Sequence, residues 1–239
     1  MNPETKLNTI AVTVAATIIV CLWIGFSKAA ISHPWIAILA SGVFSIGLYR
    51  VIVYFLLQLF RRVSWIKKLI LGPAFLHGTW VGFFIGRAGS VRYFVEVFEQ
   101  DLTRTVVRGR SFREDASFHG FWVSDNVSVD PVRARLSYIY ETDAIGNTFV
   151  NPGIAVFQLE RKDITEPAIR MQGFSSDLYN SSKLPAYEKK ISEKLIFDNS
   201  EAIEKARDLY ESQQVFFPTA GMSDSHEAML LPPEGNSDG

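Results

Sequence analysis

The spacing of apolar residues changes twice along the chain, and each change marks a different kind of element. Within the first sixty residues lie two long uncharged runs. One extends from Leu7 to Ser27 between Lys6 and Lys28; the other goes from Ala29 to Tyr49 and continues through Arg50 to Phe60. At about 1.5 Å per residue each run is long enough to cross a hydrocarbon core of roughly 30 Å, where only a helix satisfies its own backbone. The pattern predicts a transmembrane helical hairpin over residues 1–60, with a tight turn at Ser27–Pro34. Residues 61–77 form a basic connector in which Trp65, Ile66, Leu69 and Ile70 stand among Arg61, Arg62, Lys67 and Lys68. It reads either as an interfacial helix or as a continuation of the second span, and Gly72-Pro73 ends any helix there.

From Gly78 the period becomes two. Seven strands are predicted, centred on Thr79–Ile85, Val91–Glu99, Thr103–Ser111, Ser117–Ser124, Val132–Thr142, Ile154–Glu160 and Ala168–Phe174. An eighth falls in Lys189–Phe197, a stretch equally readable as helix. The segments between them, Gly86–Ser90, Arg113–Asp115, Asp125–Asp130, Asp143–Gly153 and Lys162–Pro167, have the composition of turns. Many short antiparallel strands without interleaved helices predict a sandwich or a closed barrel, here a small antiparallel β-barrel of about eight strands over residues 78–197. Residues 198–239 read as a C-terminal helix, Ser200 to Gln214, followed by a disordered tail from Pro218. Its apolar stripe is Ile203, Ala206 and Tyr210, and Glu201 with Lys205 makes an i,i+4 pair.

Charge orients this arrangement. Arg61, Arg62, Lys67 and Lys68 follow the second run, whereas the loop between the runs offers only Lys28, so both termini are expected on the cytoplasmic side of a multi-pass membrane protein. The first run is long for a cleaved signal peptide, and a second follows it. Cys21, the single cysteine, sits inside the first run and excludes an intramolecular disulfide. With 24 basic against 25 acidic residues, the chain lacks the basic surplus of a nucleic-acid polymer binder. Small residues recur at Ala11 and Ala15, and at Ala37, Ser41 and Ser45, a spacing that lets helices approach closely in lipid, either within one chain or between copies.

Alternation within the strands sorts the candidate site residues. Leu136, Tyr138 and Tyr140 share one face of the fifth strand, and Phe118, Gly120, Trp122 and Ser124 share one face of the fourth, so Trp122, Tyr138 and Tyr140 are expected to face the interior. They serve either as core or as stacking surfaces for a ligand, since an eight-stranded barrel is about the smallest that holds one. Arg104, Arg108 and Arg110 fall on one face of the third strand and Arg92 on the strand before it. These are either a solvated outer face or, with Ser111, phosphate-binding groups at a barrel mouth. Gly86-Arg87-Ala88-Gly89-Ser90 lacks the Lys-Ser/Thr of a P-loop and reads as a hairpin turn. His33, His77, His119 and His226 do not cluster, and no metal, cofactor or nucleophile motif appears; a receptor is expected rather than an enzyme.

Two N-terminal spans, a basic connector and a barrel opening with Gly78-Thr79-Trp80-Val81-Gly82 resemble the two-transmembrane, β-strand-rich effectors of bacterial cyclic-oligonucleotide-based anti-phage signalling (CBASS). Phe98-Glu99-Gln100, Gly109-Arg110-Ser111, Gly120-Phe121-Trp122 and Leu136-Ser137-Tyr138-Ile139-Tyr140 follow in the order of that family's barrel, and the likeness covers about residues 10–175. The longer, partly helical end departs from it. The resemblance implies a bacterial inner-membrane effector whose cytoplasmic barrel binds a cyclic dinucleotide, forms a homo-oligomer and disrupts the membrane. The ligand would then meet Trp80, Arg92, Arg108, Arg110, Ser111, Trp122, Tyr138 and Tyr140. Two other classes stay open: a membrane-anchored, lipocalin-like barrel for a lipid or other hydrophobe, and a membrane-tethered protein scaffold.

Overall fold

The computed structural model describes residues 3–26, 47, 49–60, 62–86, 89–101, 104–144, 150–179, 182–195 and 198–213. Eight strands form one closed antiparallel barrel in which each strand pairs with the next and β8 closes on β1. They are β1 (Gly78–Ile85), β2 (Val91–Gln100), β3 (Thr105–Phe112), β4 (Phe118–Asp130), β5 (Arg135–Ala144), β6 (Asn151–Glu160), β7 (Arg170–Asp177) and β8 (Lys183–Ser192). Closure gives every strand a neighbour on both sides over part of its length, which shortens the exposed edge that small antiparallel sheets must manage; β4 beyond Ser124 pairs with β5 alone.

The eight-stranded expectation holds, with several boundaries moved, two of them substantially. The segment Asp125–Asp130 is not a turn: a bulge between Ser124 and Asn126 absorbs one residue, and β4 runs on to Asp130. The hairpin instead turns over residues 131–134, with Ala134 at φ 51°. The closing strand is Lys183–Ser192 rather than Lys189–Phe197, so the barrel ends at residue 192. Pro185 is tolerated because β8 there pairs only with Phe174 of β7, its ladder to β1 beginning at Ala186. Gly86–Ser90 is a hairpin turn as read, closed by Gly86 N donating to Ser90 O and Gly89 N to Gly86 O.

Helices cap the barrel at one end and on one side. Helix α1 (Pro3–Phe26), helix α2 (residues 49–60) and helix α3 (Ser64–Leu71) meet through Leu7, Phe60, Ile70, Leu71 and Phe75. A short 3-10 turn, Gly72–Ala74, then leads into β1. Helix α4 (Asn199–Gln213) lies on the outer face of β1, β2 and β8, burying Ala202, Ile203, Ala206, Leu209 and Tyr210 against Val81, Phe83, Tyr93 and Tyr187. Its stripe contains the three positions expected from the sequence.

Among the described residues no helix is long and apolar enough to cross a membrane. The predicted transmembrane hairpin is therefore not part of the described fold. Its turn at Ser27–Pro34 and the small residues Ala37, Ser41 and Ser45 lie outside the described residues, as does the tail from Pro218. Within α1 the hydroxyls of Thr9, Thr13 and Thr17 each donate to the carbonyl four residues earlier.

Inside the barrel, the end nearest the connector is packed solid. Leu76, Trp80, Phe98, Val107, Leu136, Phe157, Leu159, Ala168 and Met171 fill it. Lys190 points into the same end, its Nζ 4.1 Å from the centre of the Phe75 ring, and burial lowers its pKa to about 8. The opposite end is hollow.

Candidate functional site

A cavity of about 210 Å³ occupies the hollow end. Its lining includes Phe84, Thr142, Asn151, Asp177 and Leu184, which stand where β1, β5 and β7 finish and β6 and β8 begin. In an antiparallel meander these positions share one rim, the one farthest from the connector that feeds β1. Alternation then decides which neighbours reach inward.

Four expected site residues line this cavity: Ser111, Trp122, Tyr138 and Tyr140. Trp122 and Tyr138 converge on Glu96, with Trp122 Nε1 donating to Glu96 Oε1 at 2.7 Å and Tyr138 Oη donating to the same oxygen at 2.6 Å. The Tyr138 and Tyr140 rings sit 6.0 Å apart, and Phe94 meets Trp122 edge-on at 5.8 Å. Ser111 donates to Gly120 O.

The other four are elsewhere. Trp80 is in the packed end, with Nε1 donating to Leu76 O at 2.8 Å, and does not reach the cavity. Arg108 and Arg110 project from the outer surface, because Val107, Gly109 and Ser111 take the inner phase of β3. Ser111 and Arg110 are sequence neighbours on a strand, so the two cannot serve one interior site. Arg108 instead donates to Glu99 Oε2 at 2.8 Å on that outer surface. Arg92 takes the inner phase of β2 near the open rim, where its Nη1 donates to Val91 O.

Two cavity carboxyls escaped the sequence reading. Glu96 and Glu188 are 1% and 0% exposed, and both face the hollow. Burial pushes Glu96 up to about 7 against the hydrogen bonds from Tyr138 and Trp122, which favour its charged form. Burial and the nearby Glu96 charge raise Glu188 well above the usual carboxylate range. Glu188 thus keeps its proton. Glu96 Oε2 and both Glu188 oxygens lack a hydrogen-bond partner among the described residues. His119 also lines the cavity with Nδ1 buried and unpartnered, its pKa lowered by burial and then by Arg92 and Arg113. Those two arginines are therefore cations near His119 at the mouth, and Asp177 is a carboxylate of its lining.

A second hollow, about 480 Å³, lies outside the barrel at the connector end, lined by Lys67, His77, Glu99, Gln100, Arg104 and Arg108 among others. Gln100 organises it. Its Oε1 accepts from Leu76 N at 2.5 Å and His77 N at 2.7 Å, and its Nε2 donates to Ala74 O at 3.0 Å. His77 Nδ1 accepts from Gln100 N, and burial followed by Lys67 holds its pKa near 4. Though larger, this hollow is a mixed-charge surface recess tied into the connector. The interior cavity, with its aromatic walls and unpaired buried oxygens, is the stronger ligand site. The chain matches no known family model, no curated protein and no solved structure.

Proposed function

We propose that the chain is a membrane-tethered receptor whose barrel cavity takes up one ring of a cyclic dinucleotide. The observation that carries this reading is the Glu96–Glu188 pair, fully buried against aromatic rings with three oxygens unpartnered beside an open cavity. A core needs no such groups, because unsatisfied buried oxygens cost about 1–3 kcal/mol each. A ligand with N–H donors would satisfy them.

Size limits what enters. A volume of about 210 Å³ is below the roughly 300–1,000 Å³ of pockets that enclose drug-sized ligands. One base fits between Trp122, Tyr138 and Tyr140, with the sugar-phosphate ring left at the rim. Carboxylates repel phosphate, so the phosphates belong beside Arg92 and Arg113 rather than in the interior. Arg108 and Arg110, on the outer surface, have no part in it. A lipid carrier would want a dry apolar lumen, which Glu96, Glu188 and His119 deny.

Membrane attachment rests on the uncharged runs of the sequence and on α3, where Trp65 and Leu69 stay exposed one turn apart beside Lys68. This is the arrangement of a helix lying in a headgroup layer. On this reading the protein is an inner-membrane effector of bacterial anti-phage defence, with the barrel in the cytoplasm and assembly following ligand binding. The ligand drives assembly only by binding the assembled form more tightly.

The test is calorimetric titration of the full chain in detergent with a panel of cyclic dinucleotides. Binding of one member, lost in Tyr140→Ala and weakened in Arg92→Ala, supports the receptor. A folded protein that binds no member refutes it.

A further inference from the structure

We infer that the outer face of β3, β4 and β5 is a two-fold contact between copies of this chain. Three apolar side chains stand out on that face: Phe121 is 44% exposed, Val123 38% and Ile139 44%. Opposite charges flank the central strand. Directly paired positions point to the same side of a sheet, and the register sets Arg110, Phe121 and Asp143 in one row. Arg108, Val123 and Glu141 form the next row. The four charged residues are all exposed. Over these two rows the face is thus basic on β3, apolar on β4 and acidic on β5.

Such a pattern complements itself. Rotation by half a turn about an axis running up β4 lays the β3 of one copy over the β5 of the other. Arg110 then faces the second copy's Asp143, Arg108 faces its Glu141, and Phe121 meets its own equivalent. An isologous contact requires this exchange of unlike partners about a self-paired centre. Arg108 already holds Glu99 and Arg110 is also engaged within its own chain, but both remain exposed and a guanidinium has five donors, so each can make a further contact. The axis also runs from the connector end toward the cavity rim, so both connectors emerge on the same side, as two copies on one membrane need. Convex barrels touch along little more than one strand, so the contact is weak in dilute solution and gains from confinement. The inference uses only the outer surface and does not depend on what the cavity binds.

Cysteine cross-linking reads the geometry. Cys21 is the single native cysteine, so Cys21→Ser gives a clean background in the full chain. On the proposed axis, Phe121→Cys pairs with itself and forms a disulfide-linked dimer under mild oxidation at least about tenfold faster than Gln172→Cys, exposed on β7. Equal rates for the two overturn the proposal. Arg110→Asp or Asp143→Arg, added singly to Phe121→Cys, slows cross-linking, and the two together restore it. A double variant as slow as the single ones, with circular dichroism showing intact barrels, overturns it as well. Cross-linking in this pattern without any cyclic-dinucleotide binding supports the contact and refutes only the receptor reading.

Discussion

Replacing Glu96 by Gln should remove a loss of stability that the fold suffers as pH rises toward 7. In the unfolded chain this carboxyl ionises near 4.5, whereas burial keeps its proton in the fold up to about 7. Between those values the folded state binds more protons than the unfolded one, so stability falls as pH rises. For a fully buried group, a rise of that size corresponds to about 3 kcal/mol lost between pH 4.5 and pH 7 and beyond. His77 acts in the opposite sense: its depressed value makes the fold lose stability as pH falls from 6.5 toward 4. Two proteins differing only at position 96 share that contribution, so their difference reports the Glu96 carboxyl together with its effect on Glu188. Glutamine retains an oxygen that accepts from Trp122 and Tyr138, giving up roughly 1 kcal/mol of charge-assisted bonding. Thermal midpoints of both proteins from pH 5 to 8, in one detergent, provide the assay. The variant should gain about 3 kcal/mol on the wild type across that range, roughly 10 °C in midpoint for a domain of this size. A difference constant to within about 0.5 kcal/mol would show that Glu96 is not held protonated by the fold.

Gly109→Ala would drive a Cβ into the Trp122 indole, pushing it off Glu96; a loss of about 1–3 kcal/mol and red-shifted tryptophan emission are expected, and unchanged emission contradicts the packing. Gln100→Ala strands the buried amides of Leu76 and His77, so the urea midpoint should report a loss of about 2–4 kcal/mol, and one below about 1 kcal/mol would argue that water replaces the side chain. The C2 proton of His77, followed by NMR, should titrate near pH 4; a midpoint above 6 would mean that neither burial nor Lys67 acts on it as described.

Much of the barrel was legible because alternation reports the face a residue takes. Leu136, Tyr138 and Tyr140 read as inward and are inward; Ile203, Ala206 and Tyr210 read as one stripe and pack as one. The failures have local causes. Asp125 and Asn126 look like turn formers, but a bulge lets a strand carry them, and no local rule distinguishes the two outcomes. Pro185 looks like a breaker, yet it sits where β8 has a neighbour on one side only. That fact belongs to the register of the whole barrel. The arginines were open between an outer face and a mouth: alternation grouped Arg108 with Arg110, and both project outward while Gly109, between them, lies against Trp122.

Glycine also explains how the carboxyl pair comes to exist. Glu96 lies in phase with Phe94 and Phe98 along Arg92-Tyr93-Phe94-Val95-Glu96-Val97-Phe98, so its inward direction follows from the sequence once that face is known. Its partner does not, because Glu188 lies on β8 and β1 runs between them. What joins them is Gly82, the inward residue of β1 that pairs with both Phe94 and Glu188; a Cβ there would strike the ring of one and the Cγ of the other. Gly109 gives the same room to Trp122, and Gly153 to Tyr140. Each of these three glycines is the register partner, on the neighbouring strand, of the group it makes room for, so a bulky or charged side chain lies across the strand beside it. A strand glycine in the phase of buried aromatics is thus a sequence signal for the wall of a site, and here three of them outline the cavity that the arginines did not.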